Sequence, residues 1–93
     1  MLNENIKKLR TAMNISQVDL ANKLGVSKQC VSNWENDNVV PSIDMLIKLS
    51  KFFNVSTDYL LDLDNKKYID VSHLDIDEIA HINLIIQDLI KKK

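Results

Sequence analysis

Ninety-three residues, 45% of them hydrophobic, can build one small core and hardly two. A single cysteine, Cys30, excludes an internal disulfide, and with only His73 and His81 beside it no zinc-ligand spacing exists. A net charge of −1 excludes binding to polyanions by bulk attraction, while one glycine, one proline and few aromatics favour an all-α chain.

A first helix is expected over residues 4–13, with Asn3 as its cap. Ile6, Leu9 and Met13 recur at spacings of three and four on one stripe, flanked by Lys7, Lys8 and Arg10. Asn14 and Ile15 break it. The next twenty residues, SQVDLANKLGVSKQCVSNWE from Ser16 to Glu35, organise the rest. Read as two short helices joined at Gly25, they bring Leu20, Ala21, Leu24, Val26, Val31 and Trp34 onto one apolar wedge, the layout of a helix-turn-helix. Ala21 is small where two steeply crossed helices must approach. Gly25 supplies the positive φ that so short a reversal needs. Ser16 and Ser27 stand where N-caps belong. With Val31 and Trp34 turned inward, Lys28, Gln29, Ser32 and Asn33 face outward.

After Glu35, Asn36-Asp37-Asn38 has turn chemistry, and Val39-Val40-Pro41 is extended because proline disfavours helix in the residue before it. Ser42 caps a further helix in which Ile43, Leu46, Ile47, Leu49, Phe52 and Phe53 are expected in the core, ending near Asn54. Ser56 caps a short turn over residues 57–61, with Tyr59, Leu60 and Leu61 closing the bundle. These five helices form a domain over residues 1–62. Its seven basic and seven acidic side chains cancel, so affinity for an anion has to come from placement and from helix N-termini.

Taken together, Ser16-Gln17, Ala21, Gly25-Val26-Ser27, Val31-Ser32, Trp34-Glu35-Asn36, Pro41-Ser42 and FNVSTDYLL at residues 53–61 resemble the lambda repressor and Cro type of bacterial and phage regulators. The resemblance covers about two-thirds of the chain. It implies a five-helix DNA-binding domain that acts as a dimer, with the helix at residues 27–35 in the major groove. Carried over residue by residue, it implies Lys28, Gln29 and Asn33 as base readers and Gln17, Ser32 and Asn36 as phosphate contacts, with Ser27 at the head of the reading helix. It also implies an internal ion pair of Arg10 with Glu35. Asp37, Asn38, Val39 and Val40 depart from the family, which often has glycine and then basic residues here.

Residues 63–93 are a different object. Asp64-Asn65-Lys66-Lys67 reads as a polar linker, and residues 68–72 alternate like a short extended segment. Asp75 and Glu78 make a D-x-x-E helix start, and three terminal lysines suit the negative end of a helix dipole. Ile79, Ile82, Ile86 and Leu89 repeat at three, four and three, widened by Ile76, Ile85 and Ile90. So broad an apolar face needs cover. Folding back on the domain is one solution, and homodimerisation is preferred because the domain already has its own core residues.

The expected function is sequence-specific double-stranded DNA binding by a homodimeric transcriptional regulator, most simply a repressor. The alternative is an antitoxin that holds a toxin with its tail and regulates its own operon. No nucleophile with base and orienter, metal cluster or phosphate-cradling loop is visible, so neither enzyme activity nor a cofactor is expected. Cys30 in the reading helix has no cationic surroundings that would make it a redox sensor. No apolar run follows the charges of MLNENIKKLR and no segment reaches membrane-spanning length, which reads as a cytoplasmic chain without a membrane partner.

Overall fold

A computed structural model describes residues 1–63 and 69–92, and among these six α-helices follow one another. They are α1 (Leu2–Ala12), α2 (Gln17–Leu24), α3 (Lys28–Glu35), α4 (Ile43–Phe53), α5 (Thr57–Leu60) and α6 (Ile76–Lys91). The expected linker at Asp64 to Lys67, and Tyr68 after it, lie outside the described residues.

The helices begin and end by a local grammar. Serine opens four in succession, because a hydroxyl can accept one of the amides that a helix start leaves without a partner. Ser16, Ser27, Ser42 and Ser56 accept from the amides of Asp19, Cys30, Met45 and Tyr59 at 3.0, 3.1, 3.2 and 3.0 Å. Asp19 returns the bond to the Ser16 amide at 3.0 Å, closing a capping box, and Asp75 with Glu78 closes another at the start of α6. Exits are equally regular. The residues that leave the first five helices, Asn14, Gly25, Asp37, Asn54 and Asp62, all have φ between 57° and 74°. Only glycine, asparagine and aspartate visit this left-handed region readily, and no other residue type is used for it here.

The first helix departs from expectation. It starts at Leu2 with Met1 at the cap position and no side-chain cap bond, which leaves Asn3 inside the first turn. The gain is that Leu2 packs against the core.

That core is drawn from all five helices of the domain: Ile6 from α1, Leu20, Ala21 and Leu24 from α2, Val31 and Trp34 from α3, Leu49 and Phe53 from α4, and Leu60 from α5. Phe52 meets Phe53 edge to face with ring centroids 5.2 Å apart. Four expected core positions are corrected. Ile43 and Ile47, four apart on α4, are 76% and 41% exposed, because the helix turns its Leu49 and Phe53 side to the bundle and cannot bury two opposite faces. Met13 and Leu61, just beyond the helices that precede them, are also exposed.

Long-range polar contacts close the bundle. The Asn5 amide donates to the carbonyls of Tyr59 and Leu60 at 3.3 and 3.0 Å and to the Asp62 carboxylate at 3.0 Å. A side chain of α1 thus serves carbonyls in the last turn of α5, adding to the bond that Tyr59 already accepts from the Asp62 amide. Beyond α5, Ile69 forms an isolated antiparallel bridge with Val55 at the α4–α5 turn; of the extended segment expected over residues 68–72 only this one pair is seen among the described residues, and Ser72 already lies in a turn. From there the chain enters α6, which contains no buried residue.

Candidate nucleic-acid interface

The site is built on α3, and what matters first is how firmly that helix is held. Val31 and Trp34 lie three apart and are buried, and Glu35 beside them is buried too. A buried carboxylate needs partners. Arg10 supplies a two-pronged one: Nε donates to Glu35 Oε2 at 2.7 Å and Nη2 to Oε1 at 3.1 Å, while Nη1 reaches the Ile15 carbonyl at 2.9 Å. Gln17 adds a third donor to Glu35 Oε1 at 3.0 Å. Burial pushes the Glu35 carboxyl up, but the bonds from Arg10 and Gln17 and the Arg10 charge outweigh it and leave its pKa below the ordinary value. The same pairing raises Arg10. The ion pair implied by the resemblance is therefore present, and it bolts α1, the head of α2 and the end of α3 together.

With the inner side fixed, the outer side is determined. Lys28 and Gln29 are exposed, and Ser32 and Asn33 are half-buried on the flanks of the same surface. The Gln29 amide donates to Asn33 Oδ1 at 3.1 Å, and the Asn36 amide donates to Ser32 Oγ at 3.3 Å. Both are neighbours one turn apart, so the polar side chains are ordered before any partner arrives. Each amide nitrogen carries a second hydrogen, and Gln29 keeps a carbonyl oxygen, the donor and acceptor pair that an adenine edge requires. Lys28 adds a point charge with three donors. Neither Asp nor Glu occupies the first turn of α3, so nothing there repels an anion.

Gln17 is placed differently from its neighbours. Its amide nitrogen is tied inward to Glu35, a structural bond that sequence reading missed because the two residues are eighteen positions apart. The head of α2 also carries an ionised carboxylate: the Ser16 amide and hydroxyl hold Asp19 below its ordinary pKa. A phosphate at this end would depend on the remaining Gln17 hydrogen more than on the helix dipole. Cys30 is half-buried and packs against the core, away from the outer face. Among the described residues no group of His, Cys, Asp and Glu side chains could hold a metal ion, and no helix is long and apolar enough to cross a membrane.

The tail residues Ile79, Ile82, Ile86 and Leu89 stand apart from this site. Ile79 and Ile82 are half-buried, whereas Ile86 and Leu89 are 45% and 54% exposed.

Residues 6–60 match the helix-turn-helix family. The regulator ImmR of Bacillus subtilis is 41% identical over 63 residues, which is 68% of this chain and 50% of that protein, so the chain spans half of its length. Among solved structures, the c2 repressor of Salmonella phage P22, in complex with a synthetic operator, superposes with a TM-score of 0.65 at 36% identity, covering 69% of this chain and 97% of that one. The complex of the SinR and SinI proteins, SinR being from Bacillus subtilis, superposes over 95% of this chain and 81% of that one, with a TM-score of 0.65 at 29% identity. On its matching residues, its six-helix architecture and these likenesses, the chain belongs to the Cro/CI-type helix-turn-helix family of DNA-binding transcriptional regulators.

Proposed function

We propose that this chain binds double-stranded DNA sequence-specifically as a homodimer and acts as a repressor, with α3 and its Ser27 cap lying in the major groove. The observation that carries this reading is the two-sidedness of α3: Val31, Trp34 and Glu35 lock one side, and the other presents Lys28, Gln29 and Asn33 as an ordered polar surface. Lys28 donates to guanine O6 or N7, Gln29 pairs with adenine N6 and N7, and Asn33 does the same with a shorter arm. Ser32, Asn36 and Gln17 contact phosphates and set the register of the helix on the duplex. Occlusion of a promoter is the simplest consequence, and the likeness to a repressor solved on its operator supports it.

The dimer is assigned to α6. Ile79, Ile82, Ile86 and Leu89 form one stripe on a helix in which no residue is fully buried, and a second copy of that stripe is its simplest cover. A second reading, in which the tail takes a different protein as an antitoxin takes its toxin, gains support from the likeness to a solved complex with a partner protein. Co-purification of a neighbouring gene product with the full chain favours that reading, and a homodimer purified alone disfavours it.

Gln29→Ala tests the DNA reading. Folding should be intact because the side chain is exposed, while affinity for a site selected from random DNA should fall by about 1–3 kcal/mol. Unchanged affinity would remove Gln29, and with it the outer face of α3, from the interface.

A further inference from the structure

The two halves of the chain are connected twice: once through residues 64–68, and once through a contact that skips them. Asn54, the residue that ends α4, points its side-chain amide at the stretch beyond and donates to the Asp70 carbonyl at 2.9 Å. Next to it, Val55 pairs with Ile69 in the isolated antiparallel bridge. From this anchor to α6 almost every step is hydrogen-bonded. The Asp70 carboxylate accepts from the amide and hydroxyl of Ser72 at 2.9 and 2.6 Å, the Leu74 amide donates to the Val71 carbonyl at 3.0 Å, and the Asp75–Glu78 capping box then opens α6. A run of so many local bonds has little slack.

We infer that Asn54 is a positioning residue for operator spacing: by clamping residues 69–70 to the α4–α5 turn, it fixes the angle and distance between the DNA-reading domain and the dimerising tail. This rests on the reading of α6 as the dimer element. Two domains joined to their dimer by slack chains would find half-sites over a range of separations, since such a tether sets only an effective concentration. Two domains clamped to their tails present both α3 helices at one separation and one rotation. Changing the distance between half-sites by one base pair turns one of them by about 34° and shifts it by about 3.4 Å. A clamped dimer cannot follow both changes.

The clamp is made of a few polar bonds over an open cavity of about 460 Å³ lined by Lys51, Asn54, Val55, Ile69 and His73 among others, and Ile69 remains largely exposed. One amide therefore has leverage. Its removal can also be separated from damage to the fold. Asn54 has φ 57°, a conformation glycine adopts freely, so Asn54→Gly keeps the helix exit and deletes only the side-chain donor. Asn54→Asp keeps size and is also tolerated in that conformation, as Asp37 and Asp62 demonstrate, but it turns an acceptor towards the Asp70 carbonyl.

The experiment uses the full chain and a palindromic duplex obtained by selection from random DNA, together with versions carrying one base pair more or less between half-sites. The wild-type chain should sediment as a dimer and lose about tenfold or more in affinity on the altered spacings. Asn54→Gly should shrink that loss by about threefold, in line with one hydrogen bond, and Asn54→Asp by more. Both variants should remain dimers with unchanged affinity for a single half-site, which a merely destabilised domain would not show. An Asn54→Gly dimer that keeps the wild-type spacing penalty overturns the clamp alone, as does a wild-type dimer indifferent to spacing. A monomeric wild-type chain overturns both the clamp and the tail dimer beneath it.

Discussion

The bundle of α1 to α5 and the helix α6 are both rich in apolar side chains and have opposite fates. In the domain, side chains from five helices converge, and Ile6, Leu20, Val31, Leu49 and Leu60 have no exposure at all. In α6, sixteen residues carry six isoleucines and two leucines, and not one is buried. A helix is made by its local signals, here a capping box at one end and lysine at the other, but apolar surface is stabilising only where something covers it. The domain contains its own cover. In α6 no residue finds such cover, and on the proposed reading that difference separates the part that reads DNA from the part that joins two copies.

Substitutions should therefore divide by region. The largest losses fall on the domain. Trp34→Ala should cost about 3–5 kcal/mol in denaturant unfolding, and Glu35→Ala a similar amount because Arg10 would be left partly buried without its carboxylate. In a small domain either loss takes a large share of the total stability. By contrast, Ile82→Asp with Ile86→Asp should turn the proposed dimer into a monomer in sedimentation while the bundle of α1 to α5 unfolds at nearly the same denaturant concentration. A double variant that unfolds the domain would erase the distinction between the two regions.

Smaller effects sharpen it. Gly25→Ala should cost about 1–2 kcal/mol even though a new methyl would meet open space, because the penalty lies in φ 74° and not in a clash. Gly25→Asn should cost less, following Asn14 and Asn54, which already sit in that region. The pH dependence has a definite sign. Glu35 has a folded pKa below its unfolded one, so its stabilisation is complete above about pH 4.3, the unfolded value, and is lost as pH falls through the folded value. Thermal unfolding followed downwards from pH 6 should show this acid limb, and Glu35→Gln should flatten it.

Much of this was legible from residues alone, and the divide is physical. Serine caps and the Gly25 turn were readable because a cap and its amide are three residues apart and glycine has a local reason to be there. The left-handed exits at Asn14, Asp37, Asn54 and Asp62 could have been read by the same logic, since each is an asparagine or aspartate at the end of an apolar-periodic run. The exposure of Ile43 and Ile47 could not, because α4 is apolar on more than one side and only its neighbours decide which side is covered. Gln17 to Glu35, Asn5 to the end of α5, and Asn54 to Asp70 are fixed by tertiary approach and leave no periodic trace. Of the candidate interface, the outward placing of Lys28 and Gln29 followed from the inward spacing of Val31 and Trp34, whereas the roles proposed for them on DNA came from resemblance.

Selection of bound duplexes from a random pool by the full chain tests the outer face of α3 most directly. Enrichment of a two-fold symmetric site, with half-sites centred about 10 base pairs apart and an adenine or guanine edge whose loss matters less once Gln29 or Lys28 is replaced by alanine, is the predicted result. A pool that emerges without any common motif would contradict it.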